Sequence, residues 1–257
     1  MSGLEDALRR RLSDGGRAFV PYVTGGFPGV DAPLLHRIEA AGADAIEVGI
    51  PFSDPVMDGD VIQEASRVAL EKGTRPHDVL AMIGEAALSI PVAVMTYVNP
   101  VFRIGFEPFL DDAVANGVAG VIVPDLPVDE SDQWTALADA RGIAVVQLAA
   151  PGTSSERARR IAQGARGFVY CVATYGVTGA RDALGDPARR VVAALRPLTG
   201  LPLLVGVGIS TPEHAAEACT FADGVIVGTA MMAPIVAGDP DATVALATAF
   251  RDAIPTG

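Results

Sequence analysis

Asp44-Ala-Ile-Glu-Val-Gly-Ile-Pro-Phe-Ser-Asp-Pro-Val-Met-Asp-Gly-Asp-Val-Ile-Gln63 reads as a strand that breaks abruptly into a loop. Ile46, Val48 and Ile50 are β-branched and form the apolar side of a buried strand. Pro51-Phe-Ser-Asp-Pro55 then stops regular structure, and Asp58-Gly59 adds a turn. Two carboxylates result, Glu47 on the rigid strand and Asp58 on the loop that follows. A carboxylate inside an apolar run is costly to desolvate unless its pKa rises or a partner compensates. Glu47 shares strand parity with the small residues Ala45 and Gly49, while the branched residues share the other. That parity points Glu47 into a central space and the branched side chains toward flanking helices. The pair suits acid–base chemistry on a small substrate. The plainer alternative is a strand-end ion pair for Glu47 and an Asx-turn for Asp58.

Working outward, the same unit recurs. Apolar runs fall at residues 18–23, 44–49, 91–97, 119–123, 143–149, 167–172, 202–207 and 224–227. Helical patterns separate them: 31–41 with Asp31 as cap, 61–71, 76–88, 107–116, 130–140, 156–163, 187–198 and one opening at Pro212. A short amphipathic helix at 4–12, with Arg9, Arg10 and Arg11 on its solvated side, precedes the first strand, and a helix at 242–253 ends the pattern. The strands are apolar runs rather than alternations, as expected of parallel strands buried on both faces. Eight βα units in about 250 residues predict a TIM (β/α)8 barrel with an extra N-terminal helix. Residues 41–48, 116–123 and 221–227 echo one another at a helix-to-strand junction. No linker or low-complexity tract interrupts residues 1–257, so one domain is expected. An open doubly wound sheet would need a glycine fingerprint after the first strand, and Thr24-Gly25-Gly26-Phe27 is not one.

Bulk properties narrow the function. The formal net charge of −12 argues against nucleic acid, which needs Lys/Arg patches. No apolar run approaches the roughly eighteen residues of a membrane span. The first residues are acidic and lack an apolar signal core, consistent with a cytoplasmic location. Two cysteines, Cys171 and Cys219, read as buried thiols, and three histidines, His36, His77 and His214, have no metal spacing. In a barrel the site lies at the C-terminal strand ends. Gly206-Val-Gly208 follows the seventh strand, and Gly228-Thr229 follows the eighth and opens a short helix. Barrels bind phosphate at these two loops, where glycine permits close approach and a helix N-terminus favours an anion. The eleven or so residues after the sixth strand, which include Thr178 and Gly179, read either as a surface loop or as a lid.

The stretch from Ile46 to Pro55, with Asp58-Gly59 and Val61-Ile-Gln63, closely resembles the signature of the tryptophan synthase α-subunit family. Further matches are residues 19–28, 95–100 (Met-Thr-Tyr-Val-Asn-Pro), 123–131 and Gly176-Val-Thr-Gly179, so the resemblance runs in order from about residue 17 to residue 235. It implies retro-aldol cleavage of indole-3-glycerol phosphate to indole and glyceraldehyde 3-phosphate, without a cofactor in this chain. Pyridoxal phosphate is expected only in the tryptophan synthase β subunit, the partner in an α2β2 heterotetramer. By the same resemblance Glu47 transfers protons, Asp58 binds the indole N–H and Tyr170 is the active-site tyrosine. Tyr22 lies beside the indole, and Tyr97 with Asn99 supports the site or the partner surface. Thr178 reaches the catalytic aspartate on loop closure, and Gly179 joins Gly206, Gly208, Gly228 and Thr229 around the phosphate. Tyr170 can equally be a core aromatic, and Asp125 a turn acid.

The chain departs from the family pattern at several positions. Asp60 replaces a usual proline, and its charge is expected to raise the pKa of Asp58. Met57 replaces a small residue, Ala173-Thr-Tyr175 stands where Ser-Arg is common, and Thr229 replaces a serine. Three rival functions remain: a stand-alone lyase releasing free indole, another phosphate-binding barrel lyase or isomerase, and a non-catalytic subunit that activates a partner.

Overall fold

The computed structural model describes residues 3–173 and 186–257. The chain begins with α1 (Gly3–Ser13), then β1 (Ala18–Thr24), α2 (Ala32–Ala40), β2 (Ile46–Gly49), α3 (Asp60–Glu71), α4 (Pro76–Ala86) and β3 (Val92–Met95). There follow α5 (Val98–Ile104), α6 (Phe106–Ala115), β4 (Val118–Ile122), a 3-10 turn (Val128–Glu130), α7 (Asp132–Asp139), β5 (Ala144–Ala149) and α8 (Ser155–Gly164). The last third holds β6 (Val169–Val172), α9 (Asp186–Leu195), β7 (Leu203–Gly206), α10 (Pro212–Ala218), β8 (Gly224–Val227), α11 (Thr229–Val236) and α12 (Pro240–Ala253). The strands pair in sequence order, all parallel, and β8 closes on β1. This is the expected TIM barrel with its added N-terminal helix.

Strand parity builds the layers. Ile46, Val48 and Ile50 pack outward with the α2, α4 and α6 side chains Leu35, Ile38, Ile83 and Leu110. Ala18, Val20, Ala45, Ala93, Ile122, Val146, Phe168 and Leu204 fill the interior. The lower interior is lined by small residues, Ala18, Ala45, Ala93, Ala144 and Gly120 among them, and this leaves room at the N-terminal end. Leu4 and Leu8 of α1 occupy that room, fully buried. A Cβ on Gly120 would press on the Leu4 side chain, so glycine there makes space for the plug. Each leucine contributes about 1.5–3 kcal/mol by leaving water. The amphipathic helix of the sequence is thus a stopper that confines the open end to the C-terminal mouth.

Two expectations need correction here. Arg11 does not face solvent freely: its Nε donates to Asp44 at 2.6 Å. Asp44 also accepts from the Phe19 amide and from Arg251, so one buried carboxylate ties α1, β1 and α12 together. The strand read over 91–97 is shorter, Val92–Met95, and helix α5 follows it at Val98–Ile104, where the sequence showed no helix. Pro100 sits in the first turn of α5, where no intrahelical N–H is required, so the proline does not stop it.

Candidate active site

Glu47 pairs in register with Tyr22 of β1 and Ala93 of β3, all on the inner face at the upper end of the barrel. It is 2% exposed, and its Oε2 has no hydrogen-bond partner among the described residues. Burial first, and then the charge of Asp58, pushes its carboxyl up to about 8. The carboxyl is therefore mostly protonated at neutral pH. Asp58 hangs from the β2–α3 loop and is half-buried. Burial raises its pKa to about 6, while a hydrogen bond from Tyr97 holds it down. One acid is kept neutral and the other is mostly ionised, which separates a proton donor from an anion.

Three tyrosines frame the pair. The Tyr22 hydroxyl lies 3.2 Å from Thr24 Oγ1, and a Cβ on Gly49 would overlap it, so glycine there admits the ring. Tyr170, from β6, stands over Gly206 of β7, where a Cβ would again overlap the hydroxyl. Its ring also packs near Phe168 at 6.4 Å inside the barrel, so it is both a core aromatic and a wall of the mouth. Burial, with the negative charges of Glu47 and Asp58, raises Tyr22 and Tyr170 well above the ordinary tyrosine range. Tyr97 stacks on Phe52 at 5.2 Å, accepts from the Met57 amide at 3.1 Å and hydrogen-bonds Asp58.

The glycine loops lie at the same mouth. Gly206 owes its identity to the Tyr170 ring. Gly208 has φ +100°, a conformation glycine adopts without strain. Between them Val207 has φ +62°, rare for a β-branched residue, and no sequence signal announces it. Gly228 caps α11 without a side-chain hydrogen bond, with Ile62 beside it and the half-buried Thr229 following. That end presents free backbone N–H groups to an anion. Thr178 and Gly179, with the residues 174–175 that depart from the family pattern, lie outside the described residues.

Asp60 behaves otherwise than its sequence predicts. It is exposed at the first position of α3, where the helix dipole favours an acid, and it is not among the causes that raise Asp58. Asp125, in the turn after β4, accepts from the Val98 amide at 2.8 Å and so also holds the start of α5. Among the described residues no His, Cys, Asp and Glu cluster suits a metal ion. His77 instead pairs with Asp112 and His214 with Ser210 on the surface.

Two buried-side carboxyls with raised pKa and a glycine-led helix start at the strand ends suit a (β/α)8 enzyme of the lyase or isomerase class. Comparison with known proteins narrows this further. The family model described as tryptophan synthase alpha chain matches residues 8–251. The tryptophan synthase alpha chain of Carboxydothermus hydrogenoformans is 42% identical over 236 residues, 90% of this chain and 88% of its own. That of Synechocystis is 44% identical over 240 residues, covering 91% and 90%. Among solved structures, tryptophan synthase of Mycobacterium tuberculosis superposes with TM-score 0.91 at 34% identity, covering 100% of this chain and 99% of the other. The alpha chain from Legionella pneumophila gives 0.88 at 34% identity, covering 98% and 97%. The chain belongs to the tryptophan synthase alpha chain family, the carbon–carbon lyases that cleave indole-3-glycerol phosphate.

Proposed function

We propose that Glu47 and Asp58 divide the cleavage of indole-3-glycerol phosphate between them. Protonated Glu47 gives its proton to indole C3, and the resulting iminium-like ring is stabilised by Asp58 at the indole N–H. Glu47, now a carboxylate, takes the proton of the glycerol hydroxyl next to the ring. The C–C bond breaks, its electrons return to the ring, and indole and glyceraldehyde 3-phosphate leave. Glu47 ends protonated as it began, so the cycle needs no co-reactant and no cofactor of this chain. Tyr22 and Tyr170 pack the indole and exclude water. Gly208, Gly228 and Thr229 receive the phosphate, with Gly206 setting the height of Tyr170; Thr178 and Gly179 belong to the same set by resemblance. The observation that carries this reading is Glu47 itself: a buried, partly unpartnered carboxyl held near pKa 8 beside a second acid.

The partner in this reading is the tryptophan synthase β subunit, in an α2β2 assembly, which would carry the pyridoxal phosphate. An apolar patch beside the mouth supports a docking surface: Val56 is 78% and Phe102 62% exposed, with Met57 and Ile104 nearby in sequence. Asp54 and Asp60 flank the loop, so the facing surface of the partner is basic. No helix among the described residues is long and apolar enough to cross a membrane, and the cytoplasm is the proposed location. The test is indole release from indole-3-glycerol phosphate by the purified chain, with and without β subunit. Turnover by the lone chain as fast as in the complex would favour the stand-alone lyase.

A further inference from the structure

A carboxyl stays neutral near neutral pH only where water is kept from it. On β3 the register partner of Glu47 is Ala93, whose methyl covers little. On β1 the partner is Tyr22, which is buried. Its ring does not lie level with Glu47. A Cβ on Gly49 would overlap the Tyr22 hydroxyl and two of its ring carbons, so the ring crosses to β2 one layer nearer the mouth. The partner of the hydroxyl agrees: Thr24, with Oγ1 3.2 Å away, is the register partner of Gly49. Thr24 is itself fully buried, and its amide donates to Met232 Sδ of α11. The ring is thus pinned at its far end, on the side of Glu47 from which solvent and substrate enter. Strands β6 and β7 repeat the arrangement. There Tyr170 leans on Gly206, but the residue beneath that glycine is Leu204, which has no proton to keep.

We propose that Tyr22, set on Gly49 and held by Thr24, is a positioning residue whose ring shields Glu47 from water and so keeps the catalytic proton on it. Glu47 fits such a shield. Its Oε2 has no hydrogen-bond partner among the described residues, so no donor there stabilises the carboxylate. The Tyr22 hydroxyl is engaged with Thr24 instead, and what Tyr22 offers the acid is the apolar body of its ring. Among the described residues the titratable groups that face Glu47 are Tyr22 from β1, Asp58 from the β2–α3 loop and Tyr170 from β6. Asp58 and Tyr170 keep their side chains in every variant below. This inference rests on the proton-donor reading of Glu47 given above and adds the residue that sustains it.

The test reads the Glu47 carboxyl directly, as the infrared C=O band of the ligand-free protein that Glu47→Gln lacks, followed from pH 4 to 10. In wild type the band is lost near pH 8. Tyr22→Ala removes the ring, and Gly49→Ala pushes it aside at a backbone with no left-handed φ. In both, water reaches the carboxyl, and the loss of the band moves down by at least about one pH unit, a tenfold change in proton affinity. Tyr22→Phe keeps the ring, and its band is lost within about half a unit of wild type. The alkaline limb of indole release moves down with the band in Tyr22→Ala and Gly49→Ala, whereas a merely structural loss lowers turnover equally at every pH. Gly49→Ala decides alone if Tyr22→Ala does not fold. A fall in Tyr22→Phe equal to that in Tyr22→Ala would overturn the proposal, since the hydroxyl and not the ring would then act. A wild-type band lost near pH 8 that the removed or displaced ring does not move would overturn this proposal and leave the proton-donor reading standing. A wild-type band already absent at pH 6 would overturn both.

Discussion

Replacing Glu47 with Gln should make the protein more stable at alkaline pH, although it should abolish most of its activity. The carboxyl is raised from 4.5 to about 8, by burial first and by Asp58 second. Between those values the folded chain keeps a proton that the unfolded chain releases. Stability therefore falls as pH rises through this window, because the unfolded state binds fewer protons than the folded one. At about 1.36 kcal/mol per unit, the span 8 − 4.5 sets a ceiling of roughly 5 kcal/mol. Part of that span lies below pH 5, and water entering the open mouth and relaxation reduce the rest, so a loss of about 2–4 kcal/mol between pH 5 and pH 9 is expected. Gln has nearly the same shape and does not titrate. Urea denaturation of both proteins should give similar stabilities at pH 5 and a Gln variant more stable by that amount at pH 9. A difference that is constant from pH 5 to 9 would mean that Glu47 is already ionised when folded, and the proton-donor role would fall.

The remaining predictions concern the reaction and its loops. The lone chain's kcat/KM should decline below about pH 6, where Asp58 protonates, and above about pH 8, where Glu47 ionises; a profile flat from 5 to 9 contradicts the division of roles. Gly208→Val places a β-branched residue at φ +100° and blocks backbone approach, so KM should rise about tenfold or more; unaltered binding of glycerol 3-phosphate by calorimetry would place the phosphate elsewhere. Asp60→Pro fits the first position of α3, and Gly59 before it, with ψ 168°, already has the backbone a proline demands. Fewer open loop states should raise lone-chain turnover about two- to fivefold and shrink the effect of the β subunit by a similar factor; slower turnover would show that the loop must flex.

The barrel was legible because its strands are short apolar runs, four to seven residues long, set between helical patterns. Glu47 was legible for a sharper reason: only one parity of residues 45–50 is small enough to face inward, and the glutamate lies on it. What escaped was decided by tertiary contact. The 4–12 pattern showed an apolar face but not that it stoppers the barrel, since nothing local specifies what Leu4 and Leu8 cover. Helix α5 was hidden by Pro100, which signals a break unless it falls in a first turn. Gly206 was read only as a phosphate glycine; that a Cβ there would also overlap the Tyr170 hydroxyl from a neighbouring strand has no signal in the sequence. Charge proximity in sequence also misled at Asp60, where burial rather than its neighbour raises Asp58.

The central claim is that Glu47 supplies and recovers the proton that splits indole-3-glycerol phosphate, and single-turnover indole release with β subunit present tests it most directly. Wild type should release indole and glyceraldehyde 3-phosphate in equal amounts, and Glu47→Gln should do so at least about a hundredfold more slowly, as expected on loss of a positioned proton-transfer group. Release of indole by Glu47→Gln at the wild-type rate would contradict the account.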